Sequence, residues 1–119
     1  MKLRFPLPDR ILLPNAVAHW APLARAKKKA RELARREAFK LIRDLEGTPI
    51  ITGHRVYAYF RTRRFWDEGS VTASLKAHLD GIADAFRQDD VSFRCLGVTR
   101  ERDTKDPHLI IELEVEYLT

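Results

Sequence analysis

The chain carries a single cysteine, Cys95, among 119 residues. An internal disulfide is therefore excluded, and this usage fits a reducing, cytoplasmic compartment. Cys95 lies in a stretch that reads as a strand and is expected to be a buried small apolar residue. Glycine is sparse, five in all and scattered; no GxxxxGK run exists, so a phosphate-cradling glycine loop is absent. The histidines, His19, His54, His78 and His108, stand far apart and give no zinc spacing with a lone cysteine. No serine occupies a G-x-S-x-G turn. No apolar run approaches the ~20 residues of a membrane span. The opening MKLRFPLP puts prolines where an export signal has its apolar core, which argues against export. No internal repeat, low-complexity segment or linker interrupts the chain, so residues 1–119 are expected to form one domain.

What is present is positive charge, unevenly spread. The formal net charge is +5, with 45% apolar and 33% charged residues, the composition of an ordinary globular protein. Between Arg25 and Arg43 there are nine basic residues against two acidic ones, Glu32 and Glu37. A second basic group is Arg55, Arg61, Arg63 and Arg64. Such clustering points towards a polyanionic partner, although a basic surface also serves solubility alone.

The periodicities suggest the elements. Leu3, Phe5 and Leu7 alternate with Lys2, Arg4 and Pro6 as a short edge strand. Residues 11–14 read as an extended apolar piece. Asn15 to Trp20 reads as a loop, with Asn15 a turn or cap residue and Trp20 packed on the helix that follows. That helix starts near Pro22 and stops before Gly47 and Pro49. Leu23, Ala26, Ala30, Leu33, Ala34, Ala38, Leu41 and Leu45 form its apolar stripe. Lys27, Lys28, Lys29, Arg31, Arg35 and Arg36 spread over its remainder, either as a solvated face or as phosphate contacts. Residues 55–61 alternate as a strand, 93–102 form another, and 109–117 form the clearest, with Ile111, Leu113, Val115 and Tyr117 inward. The last two are expected to pair as an antiparallel hairpin. The order β-α-β-α-β-β implies an α+β fold, with two helices packed on one face of a mostly antiparallel sheet.

The organising stretch is Phe65–Asp90. A carboxylate pair, Asp67-Glu68, follows the basic run at 61–64. Val71, Leu75, Leu79, Ile82 and Phe86 then mark a helix from Ser70 to Phe86, capped by Ser70 or Thr72. A second pair, Asp89-Asp90, closes it. Magnesium prefers hard oxygen ligands, so acidic clusters inside a basic surface are candidate metal ligands. Alternatively, carboxylates at helix ends merely favour the helix dipole. Such a helix is about 25 Å long, so the two pairs meet only if the helix breaks or the chain folds back near Gly81.

In order and spacing these pieces resemble the RusA family of Holliday junction resolvases, small dimeric magnesium-dependent nucleases common in prophages. The family pattern is a basic strand end, D-x-D-N, a helix, then a D-D pair. Here it falls on Arg63-Arg64, on Asp67-Glu68-Gly69-Ser70, on Leu79-Asp80-Gly81-Ile82 and on Asp89-Asp90. The Pro14-Asn15 loop before a basic helix adds to the likeness. The resemblance implies a RusA-like fold in which Asp89-Asp90 returns towards Asp67. It implies Mg²⁺, with Mn²⁺ as substitute, held by Asp67, Glu68, Asp89 and Asp90. It implies catalysis by Asp67, Asp90 and Lys76, and DNA contacts from Asn15, Lys27, Lys28, Lys29, Arg31, Arg35, Arg61, Arg63 and Arg64. Gly69 stands where the family has its second aspartate, Ser70 where it has asparagine, and Ala73 where it has a helix lysine. Glu68 is the replacement ligand, and Lys76 lies about one turn beyond Ala73 on the same face.

Three readings follow. The first is a homodimeric, magnesium-dependent endonuclease that resolves four-way junctions in DNA recombination and repair, with no membrane partner. The second is a branched-DNA binding protein that has lost catalysis. The third is a basic α+β domain whose carboxylates only cap helices and whose partner is protein.

Overall fold

The computed structural model describes residues 1–14, 16, 19–63, 65–89 and 94–117. Its elements are strand β1 (Lys2–Phe5), a 3-10 turn (Arg10–Leu12), helix α1 (Trp20–Ile42), strand β2 (Ile50–Phe60), helices α2 (Glu68–Ser74) and α3 (Lys76–Phe86), and strands β3 (Arg94–Arg102) and β4 (His108–Glu116). The fold is α+β, with three helices and a mixed four-stranded sheet.

The sheet order is β1-β4-β2-β3. β4 lies antiparallel between β1 and β2, and β3 runs parallel to β2. The expected β3–β4 hairpin does not form. A helical crossover, α2 and α3, returns the chain to the start of β2, so β3 enters parallel beside it. β3 carries Arg94, Arg100, Glu101 and Arg102, a composition suited to an edge. β4 carries Leu109, Ile111 and Leu113, all buried, and takes the inner position.

One face of the sheet forms the core. Leu3, Phe5, Ile51, Val56, Ala58, Phe60, Leu109, Ile111 and Leu113 meet Ala34, Ala38 and Ile42 of α1 and Val71, Leu75, Ile82 and Phe86 of the second helical segment. Val115 packs at the margin, whereas Tyr117, expected inward, is exposed. The opposite sheet face carries ion pairs, Lys2–Glu112 at 3.6 Å and Arg55–Glu114 at 3.7 Å, beside Tyr59 stacked on His108 at 4.4 Å.

α1 begins two residues before Pro22, which sits in the first turn, where no amide has an intrahelical acceptor. Its alanine stripe has a close-packing partner: a Cβ at Gly81 would lie 2.1 Å from the Arg31 carbonyl oxygen, so only glycine lets α1 and α3 approach this closely. Arg31 secures the contact with a two-pronged bond to Asp84, Nε to Oδ2 at 2.7 Å and Nη2 to Oδ1 at 2.9 Å. The guanidinium's hydrogen bond holds the Asp84 carboxyl below its ordinary pKa.

The helix expected over 70–86 is interrupted. The Thr72 hydroxyl donates to the Glu68 carbonyl at 2.9 Å and the Ser74 hydroxyl to the Val71 carbonyl at 2.7 Å. Such back-bonds bend helices. At Leu75 (φ −96°, ψ 0°) the ladder contracts to a bond from its amide to the Thr72 carbonyl, 3.2 Å, before α3 resumes. Three helices therefore replace the expected two. α3 ends with Arg87 in the left-handed region (φ 55°), and the Gln88 amide donates back to the Ala83 carbonyl at 2.9 Å.

Three further expectations are corrected. Residues 10–12 coil as a 3-10 turn capped by Asp9, whose side chain accepts from the Ile11 amide at 3.1 Å. Trp20 does not pack on α1; it is 82% exposed at the helix's first position. Cys95 is exposed, since β3 is an edge strand.

Candidate nucleic-acid interface

A groove of about 730 Å³ opens between the 3-10 turn, the first half of α1 and the α2–α3 segment. Ile11 to Pro14, Ala16 and Leu23 form its apolar wall. Lys27, Lys28 and Arg31 line it from α1, and Ala73, Lys76, Ala77 and Asp80 from the facing segment. Lys27, Lys28, Arg31 and Lys76 thus line one space with Asp80, the Arg31 guanidinium being held by Asp84. Lys27, Lys28 and Arg31 are solvent-exposed, and the Lys76 ammonium lies 3.4 Å from Asp80 Oδ1.

The groove gathers residues that the sequence separates. Lys76, expected to act in catalysis, shares it with three residues expected to contact DNA. Ala73 lines the same wall as Lys76, as the helical spacing implied. Asp80 joins the lining, a role the sequence reading had not given it; its place three to four residues after Lys76 and Ala77 on one helical face was the available signal. Lys29 projects from the neighbouring side of α1 into a smaller groove with Pro6, Leu7, Pro8 and His78. Arg35 is exposed one turn after Arg31, and its charge also acts on Asp84. Arg61 and Arg63 are exposed in the turn after β2 and lie outside the groove lining. Asn15, Arg64 and Asp90 fall outside the described residues.

The carboxylate clusters are not brought together by the described residues. Asp67 caps α2: its Oδ1 accepts from the Ser70 amide at 2.7 Å and its Oδ2 from the Ser70 hydroxyl at 3.1 Å. Ser70 is thus the donor to the cap, and Asp67, not Ser70 or Thr72, is the capping residue. These bonds from Ser70, with a smaller contribution from the Arg100 charge, hold the Asp67 carboxyl below its ordinary pKa. Glu68 is the first residue of α2. Both follow Phe65 and Trp66, whose rings pack on Phe60 at 5.4 and 5.6 Å, at the C-terminal end of β2. Arg100 Nη1 donates to the Trp66 carbonyl at 3.2 Å from the adjacent strand.

Asp89 is exposed at the other end of the sheet. Its neighbour Gln88 accepts from the Ile51 amide at 2.8 Å and donates to the Pro49 carbonyl at 2.7 Å. β2 is 11 residues long, so Ile51 and Phe60 lie roughly 30 Å apart at the strand rise. Asp67-Glu68 and Asp89 are thus held at opposite ends of one strand. No group of three or more His, Cys, Asp or Glu side chains among the described residues is placed to hold a metal ion. Among the described residues, Asp67, Glu68 and Asp89 therefore do not fit a single magnesium centre.

No protein-family model matches the chain. An uncharacterized protein of Xylella fastidiosa (strain Temecula1 / ATCC 700964) is 35% identical over 96 residues, a match covering 76% of this chain and 61% of that protein. The chain therefore spans about three fifths of the length of the curated relative it matches. No helix among the described residues is long and apolar enough to cross a membrane.

Proposed function

We propose that this protein binds branched DNA, with the phosphate backbone seated in the groove lined by Lys27, Lys28, Arg31 and Lys76. The observation that carries this reading is the convergence of those cations, from two helices distant in sequence, around one open space. Phosphate binding by such residues is non-specific and steeply salt-dependent. The expected preference for a four-way junction rests on the likeness to RusA-type resolvases, which also supplies the expected homodimer: a junction presents two symmetry-related sites.

Gel-shift titration of a synthetic four-way junction against the matched duplex, with and without Mg²⁺, tests the proposal. Metal-independent binding that prefers the junction supports it. Equal binding to junction and duplex, or none to either, removes it.

Magnesium-dependent junction cleavage is the second reading. Exposed Asp67 and Glu68 at the start of α2 favour it, and the distance to Asp89 opposes it. Appearance of nicked junction arms on incubation with Mg²⁺ or Mn²⁺, abolished by Asp67→Asn, would establish that reading in place of binding alone.

A further inference from the structure

Trp20 is the most conspicuous apolar group left in solvent, 82% exposed at the first position of α1. An indole in water needs a reason, because burying it contributes more than burying almost any other side chain. Its position is informative. Trp20, Leu23, Lys27 and Arg31 follow one another at three- and four-residue steps, so they share one face of α1. Leu23, Lys27 and Arg31 line the cationic groove, as does Ala16 just upstream of the helix. Trp20 is not itself part of that lining; it precedes Leu23 by about one helical turn on the same face.

We propose that Trp20 is a stacking platform for an unpaired base, and that the groove's substrate is nucleic acid with locally unstacked or single-stranded character. This rests on the proposal that the groove binds DNA and names its substrate class. A closed duplex hides its base faces and offers phosphates alone. A branch point or single strand offers phosphates to Lys27, Lys28 and Lys76 and a free π-face to Trp20. Stacking on an aromatic side chain is sequence-tolerant, since every base has such a face. The discrimination is therefore for structure, not for sequence. Trp66, the other tryptophan, packs against Phe60 and is half-buried, so it does not compete for this role.

The test compares wild-type protein, Trp20→Ala and Trp20→Phe on a short single strand, a four-way junction and a blunt duplex. Trp20→Ala is expected to lose about tenfold in affinity for the first two probes and nothing for the duplex, and Trp20→Phe to retain most of the wild-type affinity. Quenching of tryptophan fluorescence by the single strand, expected in wild type, is expected to vanish in both variants, where Trp66 alone emits. The double variant Lys27→Glu, Lys28→Glu is expected to weaken all three probes alike. If that variant weakens binding while Trp20→Ala leaves every affinity unchanged, the stacking role is wrong and the groove stands. If wild type binds no probe, the groove reading itself fails. If Trp20→Ala instead dissociates a dimer in sedimentation and leaves DNA affinity intact, Trp20 is an interface residue and the proposal is overturned.

Discussion

The Gly81 α-carbon faces the Arg31 carbonyl oxygen so closely that a methyl group at Gly81 would lie 2.1 Å from it. The Arg31 carbonyl carbon and the Arg35 amide nitrogen would each be 3.0 Å away. These are backbone atoms and cannot swing aside. Alanine normally favours a helix interior by ~1 kcal/mol over glycine, but here α1 and α3 would have to separate. Gly81→Ala is expected to destabilise the fold by about 2 kcal/mol net, read as a lowered urea midpoint with an unchanged slope. A stabilised variant would mean that the helices are not in this contact.

Arg87 closes α3 with a positive φ that a side chain disfavours. Arg87→Gly relieves the strain and gives some of it back as unfolded-chain entropy. The expected result is a gain of ~0.5–1 kcal/mol in thermal or urea unfolding, with DNA binding unchanged, since Arg87 is not part of the groove lining.

His78 is 3% exposed, lies edge-on to Phe5 at 5.3 Å, and its Nδ1 has no hydrogen-bond partner among the described residues. Burial pushes its pKa down from 6.5 to about 4. Its unfolded form therefore takes up a proton before the folded form does, so stability falls as pH drops from 6.5 towards 4 and is fully present above that window. The full displacement corresponds to about 3 kcal/mol. His54, also lowered by burial, acts in the same direction. His78→Leu is expected to flatten the dependence of the urea midpoint on pH between 7 and 4. An unchanged dependence would assign the acid sensitivity elsewhere.

Asp67 holds α2 through Ser70, and its lowered pKa means that this contribution is present above the ordinary carboxylate range and lost as pH falls through it. Asp67→Asn keeps an N-cap acceptor and removes the charge. It is expected to preserve thermal stability and to leave junction affinity unchanged or raised, whereas Asp67→Ala loses the cap and lowers the melting temperature. A stability loss with Asn equal to that with Ala would show that the charge, not the acceptor, matters.

Lys28 lines the groove and is exposed. Lys28→Ala is expected to reduce the slope of log K against log salt by about 0.9 on duplex DNA, one phosphate's worth of released counterions. An unchanged slope places the backbone elsewhere.

Much of the fold was legible where the signal is local. The uninterrupted run from Pro22 gave α1; its alanines were compatible with close or weak packing alike, and the contact at Gly81 decides for close packing. The alternation of Ile111, Leu113 and the intervening glutamates gave β4. Strand order was not legible, because the Asp103–Pro107 turn is compatible with a hairpin, and only the non-local return of α2–α3 sends β3 to the other side of β2. The break at Leu75 was hidden because Thr72 and Ser74 fit a helix by spacing and bend it by hydrogen bonding. For the candidate site, basic residues were readable as a cluster, and the groove they share with Lys76 was not, since it depends on how α1 crosses α3. The return of Asp89 towards Asp67 was expected from a likeness; Gln88 holds its neighbour at the far end of β2 instead.

β4 pairs with both β1 and β2, and it is made from residues 108–116. During synthesis the N-terminal strand therefore waits without a partner until nearly all of this sequence has left the ribosome. Contacts of such long sequence separation slow folding. A stop codon or nick before His108 would remove the hub rather than a rim, leaving β1 detached and the β2–β3 pair with an open, aggregation-prone flank.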